Sequence, residues 1–234
     1  MKGDTLMYDY KIGIIDEDIA DIEFIERTIL INKPEHINDD QVDFWRYSLP
    51  NEETDVYDSV VKLVLSKIIN DEIQALIVDY KIIISATTLE GTEIFKKLSE
   101  IVPKFPLVML SNMPEDCYGK EFVDADKIYS KRNFFKIEED YSIEKVLNIF
   151  RNIDNYMSQR AKLSTQLFEQ LQQLGKNGYS QETLQAIIET ENLLDDFCPQ
   201  EQSSIEKSLD LTNLKSAVEL LEKAQGMIGE NDEN

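Results

Sequence analysis

Short apolar runs alternate with apolar positions at helical spacing through the N-terminal half of the chain. KIGIID at 11–16 is a compact apolar run that ends in acid. Ile19, Ile22, Ile25 and Ile29 then recur three or four residues apart, which predicts one face of a helix. Val42, Phe44 and the stretch from Trp45 to Tyr47 predict a second strand, and the polar residues 51–55 a loop. Val56, Val60, Val61, Val64, Leu65 and Ile68 outline a second helix face. ALIVD at 75–79 predicts a third strand, apolar on both faces. Ile94, Phe95 and Leu98 mark a short third helix, and PLVMLS at 106–111 a fourth strand. Pro114 suits the first turn of a fourth helix running towards Phe122. KIYS at 127–130 closes the series as a short fifth strand.

Wholly apolar strands that alternate with helices call for a parallel sheet covered on both faces. Five such units in about 150 residues predict an α/β, doubly wound, five-stranded parallel sheet of the flavodoxin-like kind. From Ser142 the pattern changes. Val146, Ile149, Phe150, Ile153, Tyr156, Met157, Leu163, Leu167, Leu171 and Leu174 keep helical or heptad spacing until Gly175 and Gly178 stop it. A helix of about 30 residues follows from that spacing, long enough to leave the sheet. Ser180 is placed to cap another helix, with Leu184, Ile187, Ile188 and Leu193 on one face. CPQEQSS at 198–204 reads as a connection. Leu209, Leu211, Leu214, Val218, Leu221 and Met227 mark a last helix before the acidic tail GENDEN. The division is therefore 1–141 for the sheet domain and 142–234 for an all-α extension. That extension is a helical bundle, or a coiled-coil region for dimerisation or effector contact.

Composition narrows the function. Both parts are acidic, and the net charge of the 234 residues is −22. Lysine and arginine contacts to phosphates dominate nucleic-acid affinity, and a chain of this charge repels a polyanion at long range. No apolar run approaches the ~20 residues needed to span a bilayer. The start, MKGDTLMYDYKIGIID, lacks the pattern of a signal peptide, so a cytoplasmic protein is expected. Cys117 and Cys198 are far apart and lack metal-site spacing; free thiols are expected. His36 lies in a polar stretch without a histidine partner, so neither a histidine phosphotransfer nor a kinase role has a candidate residue.

The candidate chemistry lies where the strands end. In a doubly wound sheet, functional groups gather at the carboxyl ends of the strands. Asp16, Glu17 and Asp18 follow the first strand, Asp79 the third, Ser111 the fourth and Lys131 the fifth. Carboxylates at neighbouring strand ends form an oxygen-rich cluster that suits Mg²⁺. A lysine neutralises charge on a transferring phosphoryl group, a hydroxyl bonds its oxygen, and a carboxylate nucleophile forms an aspartyl-phosphate. The plainer alternatives are a strand-end turn for Asp79, a helix cap for Ser111, a surface lysine at 131 and a solvated loop or helix cap at 16–18.

IIDED, LIVD, LVMLSN and IYSK, in that order, resemble the motifs of the response-regulator receiver family over roughly residues 10–151. The resemblance implies Asp79 as phosphoacceptor, Ser111 as the hydroxyl and Lys131 as the lysine of the site. It implies Mg²⁺ organised by Asp16, Glu17 and Asp79, with a main-chain carbonyl at Lys81. It also implies a histidine kinase or phosphorelay protein as partner, and a signalling role, not an enzymatic one. The alternatives within that reading are a pseudo-receiver that is never phosphorylated and a phosphate sink. A receiver with an RNA-binding, antiterminator-like helical bundle has a comparable outline, against which the acidic C-terminal part counts. The chain departs from the pattern at Glu17, an aspartate in the usual motif. It departs again at Ile83 and Arg132, where prolines are usual, and at Asn112, where a small residue is usual. Ile128 takes the place of the usual switching aromatic, beside Tyr129, and the segment from Tyr80 to Gly91 is longer than is usual. The apolar stripe of the long helix, with Ile153, Met157, Leu167 and Leu171, is expected to meet the following helices or a second copy in a homodimer.

Overall fold

The computed structural model describes residues 10–47, 56–84, 87–117, 125–177 and 180–198. Strand β1 (Tyr10–Ile15) leads into α1 (Ile19–Asn32), and β2 (Val42–Arg46) into α2 (Val56–Ile69). β3 (Ala75–Asp79) is followed by a pair of short strands, β4 (Lys81–Ile84) and β5 (Thr87–Glu90), and then by α3 (Gly91–Ile101). β6 (Leu107–Ser111) and β7 (Ile128–Ser130) come next, then the single-turn α4 (Lys131–Phe134), α5 (Asp140–Asn177) and α6 (Gln181–Asp195). Five strands form one sheet in the order β2-β1-β3-β6-β7. Every neighbouring pair in it is parallel. The protein is thus an α/β fold with an all-parallel five-stranded sheet and C-terminal helices.

The apolar strands are explained by two separate cores. Side chains alternate across a strand, so Ile15, Leu76, Val78, Leu107, Met109 and Ile128 face one side. There they pack with Val60, Val64 and Ile68 of α2 and with Ile94, Phe95 and Leu98 of α3. Tyr10, Ile12, Ile14, Ala75, Ile77, Val108, Leu110 and Tyr129 face the other side. They meet Ile22, Ile25 and Ile29 of α1 and Val146, Ile149, Phe150 and Ile153 of α5. Burial on both faces is what a strand such as ALIVD requires.

Two segments differ from the expectation. The stretch from Lys81 to Glu90 is an antiparallel pair, with Ile82 opposite Leu89. β3 already has β1 and β6 as neighbours, so the chain leaving it finds no open edge there and pairs with itself. Pro114 does open a turn, but the turn is a short 3₁₀ helix over Pro114–Asp116. The expected run towards Phe122 lies outside the described residues. So do the loop at 51–55, the stop at Gly178 and the chain from 199 onwards.

α5 is longer than the spacing suggested, at 38 residues. Ile153, expected to await a partner, is buried in the core against the sheet. Its stripe continues the face that Val146 and Phe150 present to the strands, so the sheet itself covers it. α6 folds back along α5, with Gln166 bonded to Thr190 and, further along, Tyr156 to the Phe197 carbonyl. The Tyr156 ring lies between those of Phe105 and Phe197. The Lys104 amide donates to the Asp196 carbonyl, and Arg160 pairs with Asp71. Asp71 and Lys104 precede β3 and β6, so the end of α6 docks at the amino edge of the sheet. Phe168, Leu171 and Leu193 stay exposed on the two helices. Among the described residues no helix is long and apolar enough to cross a membrane.

Candidate functional site

A parallel sheet brings all its strand ends to one edge, which is why residues far apart in sequence meet here. Asp16 follows β1, Asp79 ends β3, Ser111 ends β6 and Lys131 follows β7. All four are buried, as few charged side chains are unless paired. They line one cavity of about 270 Å³ with Glu17, Asp18, Asp21, Tyr80, Lys81, Asn112 and Met113.

Lys131 organises this cavity. Ser130 caps α4 by accepting from the Asn133 amide, which directs the chain so that Lys131 turns inward. Its ammonium donates to Asp16 Oδ2 and to Asp79 Oδ1, at 2.7 Å each. It also lies 2.6 Å from Asp21 Oδ2. Backbone amides hold the other oxygens. Asp79 Oδ2 accepts from the Lys81 amide at 2.8 Å, and Asp16 Oδ1 from the Asp18 amide at 2.9 Å. The Ser111 hydroxyl accepts from the Met113 amide at 3.0 Å. A hydroxyl keeps its own proton for donation, so Ser111 can serve a group on Asp79 as well.

All the residues picked out from the sequence line this one cavity: Asp16, Glu17, Asp79, Lys81, Ser111 and Lys131. Asp21 was missed. Asp18 caps α1 by accepting from the Ala20 amide at 2.8 Å. That cap fixes the helix start and places Asp21 in its first turn, back over the strand ends. The signal was the cap: an acid three residues after an N-cap aspartate lies at the helix mouth. His36 is exposed and lines no part of the cavity, and Cys117 and Cys198 are both buried.

Charge dominates the site. Among the described residues, five carboxylates, from Asp16, Glu17, Asp18, Asp21 and Asp79, line the cavity with two cations, Lys81 and Lys131. Burial pulls the Lys131 ammonium down, but the hydrogen bonds it donates to Asp16, Asp21 and Asp79 outweigh it and raise it above the ordinary lysine value. Burial raises the Asp16 carboxyl above the ordinary 3.8, by more than Lys131 and the Asp18 amide lower it, and the Asp79 charge adds to the rise. A hard cation suits such an all-oxygen donor set. Among the described residues no three acidic, histidine or cysteine side chains are yet arranged around a metal position. In this structure the ammonium of Lys131 takes the central place.

The raised Asp16 carboxyl makes stability depend on pH. A carboxyl whose folded value is raised contributes stability that is whole below about pH 3.8 and is lost as pH rises through the folded value. Asp16→Asn removes that loss. Urea unfolding of both proteins should therefore show the variant gaining on the wild type as pH rises from about 4 towards neutrality. A difference that stays constant over that range would show that Asp16 titrates alike in the folded and unfolded chains.

Comparison of the sequence with protein-family models finds no match. Comparison with curated proteins finds none either.

Proposed function

We propose that the sheet domain is a phosphoacceptor receiver of the response-regulator type, with Asp79 as the acceptor. The observation that carries this reading is Lys131. One buried ammonium clasps the acids at two strand ends, with a buried serine at a third. The strand order β2-β1-β3-β6-β7 supports it too, because the order is that of a flavodoxin-like sheet once the β4–β5 pair is set aside. Asp79 and Ser111 also accept turn amides, but a surface lysine at 131 and a solvated loop at Asp16 do not account for the burial and pairing of those two residues.

The chemistry is one displacement. An Asp79 carboxylate oxygen attacks phosphorus, an O–P bond forms, and the bond from phosphorus to the donor breaks. With a phosphohistidine donor the electron pair leaves on the imidazole. Lys131 bonds the phosphoryl oxygens, and the Ser111 hydroxyl donates to them from the end of β6. Asp16, Glu17 and Asp79, with a main-chain carbonyl at Lys81, would hold Mg²⁺, which would supply charge neutralisation when bound. The donor would be a histidine kinase or phosphorelay protein. The exposed Phe168, Leu171 and Leu193 support an association role for the C-terminal helices, with an effector or a second copy.

One observation favours the pseudo-receiver reading. Asp16, Asp21 and Asp79 surround Lys131, so the pocket already neutralises its own cation. Intact-mass measurement decides between the two. With acetyl phosphate and Mg²⁺, the wild type should gain one phosphoryl group, and Asp79→Asn none. A wild type that stays unmodified with every small donor and kinase tried makes the domain an interaction module.

A further inference from the structure

An ammonium has three N–H groups. At Lys131 they face three carboxylate oxygens, at 2.7 Å from Asp16, 2.6 Å from Asp21 and 2.7 Å from Asp79. A phosphoryl oxygen on Asp79 needs one of those places. The three carboxylates are not equally able to give way. The Asp16 side chain is 1% exposed and is also tied to the Asp18 amide. Asp79 is the acceptor itself. The Asp21 side chain is 27% exposed and stands on the first turn of α1, where a rotamer change carries it into water.

We propose that Asp21 is an internal competitor for the phosphoryl group, occupying on Lys131 the hydrogen-bonding place that a phosphoryl oxygen needs. The proposal rests on the reading of Asp79 as phosphoacceptor. Asp21 is a positioning residue: it acts through Lys131 and forms no bond to phosphorus. In the unmodified protein its carboxylate holds the lysine. When Asp79 attacks acetyl phosphate, the new O–P bond forms as the old one breaks, and acetate leaves with the electron pair. The phosphoryl group brings close to two negative charges. Those charges take the N–H that Asp21 held, and like-charge repulsion drives Asp21 outward. The strength of the Asp21–Lys131 pair thus sets how readily the site accepts a phosphoryl group.

Asp21→Asn keeps the side-chain shape and removes the charge. A charge-assisted hydrogen bond at a partly exposed site corresponds to about a tenfold change in equilibrium. The variant is therefore expected to be labelled by acetyl phosphate about tenfold faster than the wild type at equal Mg²⁺. By isothermal titration it should bind beryllium fluoride about tenfold more tightly. Asp21→Glu, which restores the charge, should return both values towards the wild type, which a merely structural role does not require. If Asp21→Asn loses its fold, Asp21→Ala reads the same two quantities. Equal rates and affinities in wild type and variant overturn the Asp21 proposal and leave the receiver reading intact, as does a slower or weaker variant. Failure of both proteins to take either label overturns the receiver reading itself, and the Asp21 proposal with it.

Discussion

Lys131→Met is expected to destabilise the protein by about 3–5 kcal/mol at pH 7. The substitution keeps most of the volume and removes the charge. It leaves Asp16 and Asp79 buried beside each other, with Asp21 close by, and without the ammonium that pairs them. Breaking a buried pair costs more than the pair contributes, because the surviving charge stays desolvated. The Asp16 carboxyl, already raised by burial, will rise further once the lysine that lowers it is gone. A raised carboxyl loses its stabilising contribution as pH rises. The deficit should therefore be largest near neutrality and shrink as pH falls towards 5. Urea unfolding at both pH values measures it, and Lys131→Arg, which keeps the charge, should recover part of the loss. A neutral or stabilising Lys131→Met would mean that the carboxyls are not charged against the lysine in the folded protein.

Gly91→Ala is expected to destabilise the protein by about 3 kcal/mol or more, the upper end of what overpacking produces. Gly91 opens α3, and its amide donates to the Tyr80 carbonyl at 2.8 Å. A Cβ there would lie 2.0 Å from the carbonyl oxygen of Asp79 and 2.9 Å from Val78 Cγ1. The obstructing atom is backbone at the end of β3, which is paired on both sides, so no rotamer change relieves it. Relief requires the start of α3 or the end of β3 to move, and the second option carries Asp79 away from Lys131. Gly13→Ala is the internal comparison. There the nearest atoms are side-chain tips, with Leu76 Cδ1 at 2.8 Å and Trp45 Cε3 at 3.2 Å. Those can turn aside, and the expected loss is about 1–2 kcal/mol. Thermal melts of both variants test the ordering; a Gly91→Ala melt no lower than that of Gly13→Ala would refute it.

The strands were legible because a strand buried on both faces leaves a mark that no surface strand leaves. ALIVD and LVMLS are apolar throughout and stop at a polar residue, so the sequence alone located Asp79 and Ser111 at strand ends. The periodicity after Ser142 likewise announced a long helix, because apolar spacing is a property of the segment itself. Contacts between segments leave no such mark. The pairing of Lys81–Ile84 with Thr87–Glu90 depends on β3 having both its neighbours already, which only the assembled sheet decides. Asp21 reads as an ordinary first-turn acid until α1 packs on the sheet and brings it to Lys131, 110 positions along the chain. The docking of α6 at the amino edge rests on backbone carbonyls of Asp196 and Phe197, which every residue carries and no sequence pattern distinguishes. Periodic burial is written locally, whereas the meeting of charges and main-chain groups is decided by where the packed elements bring them.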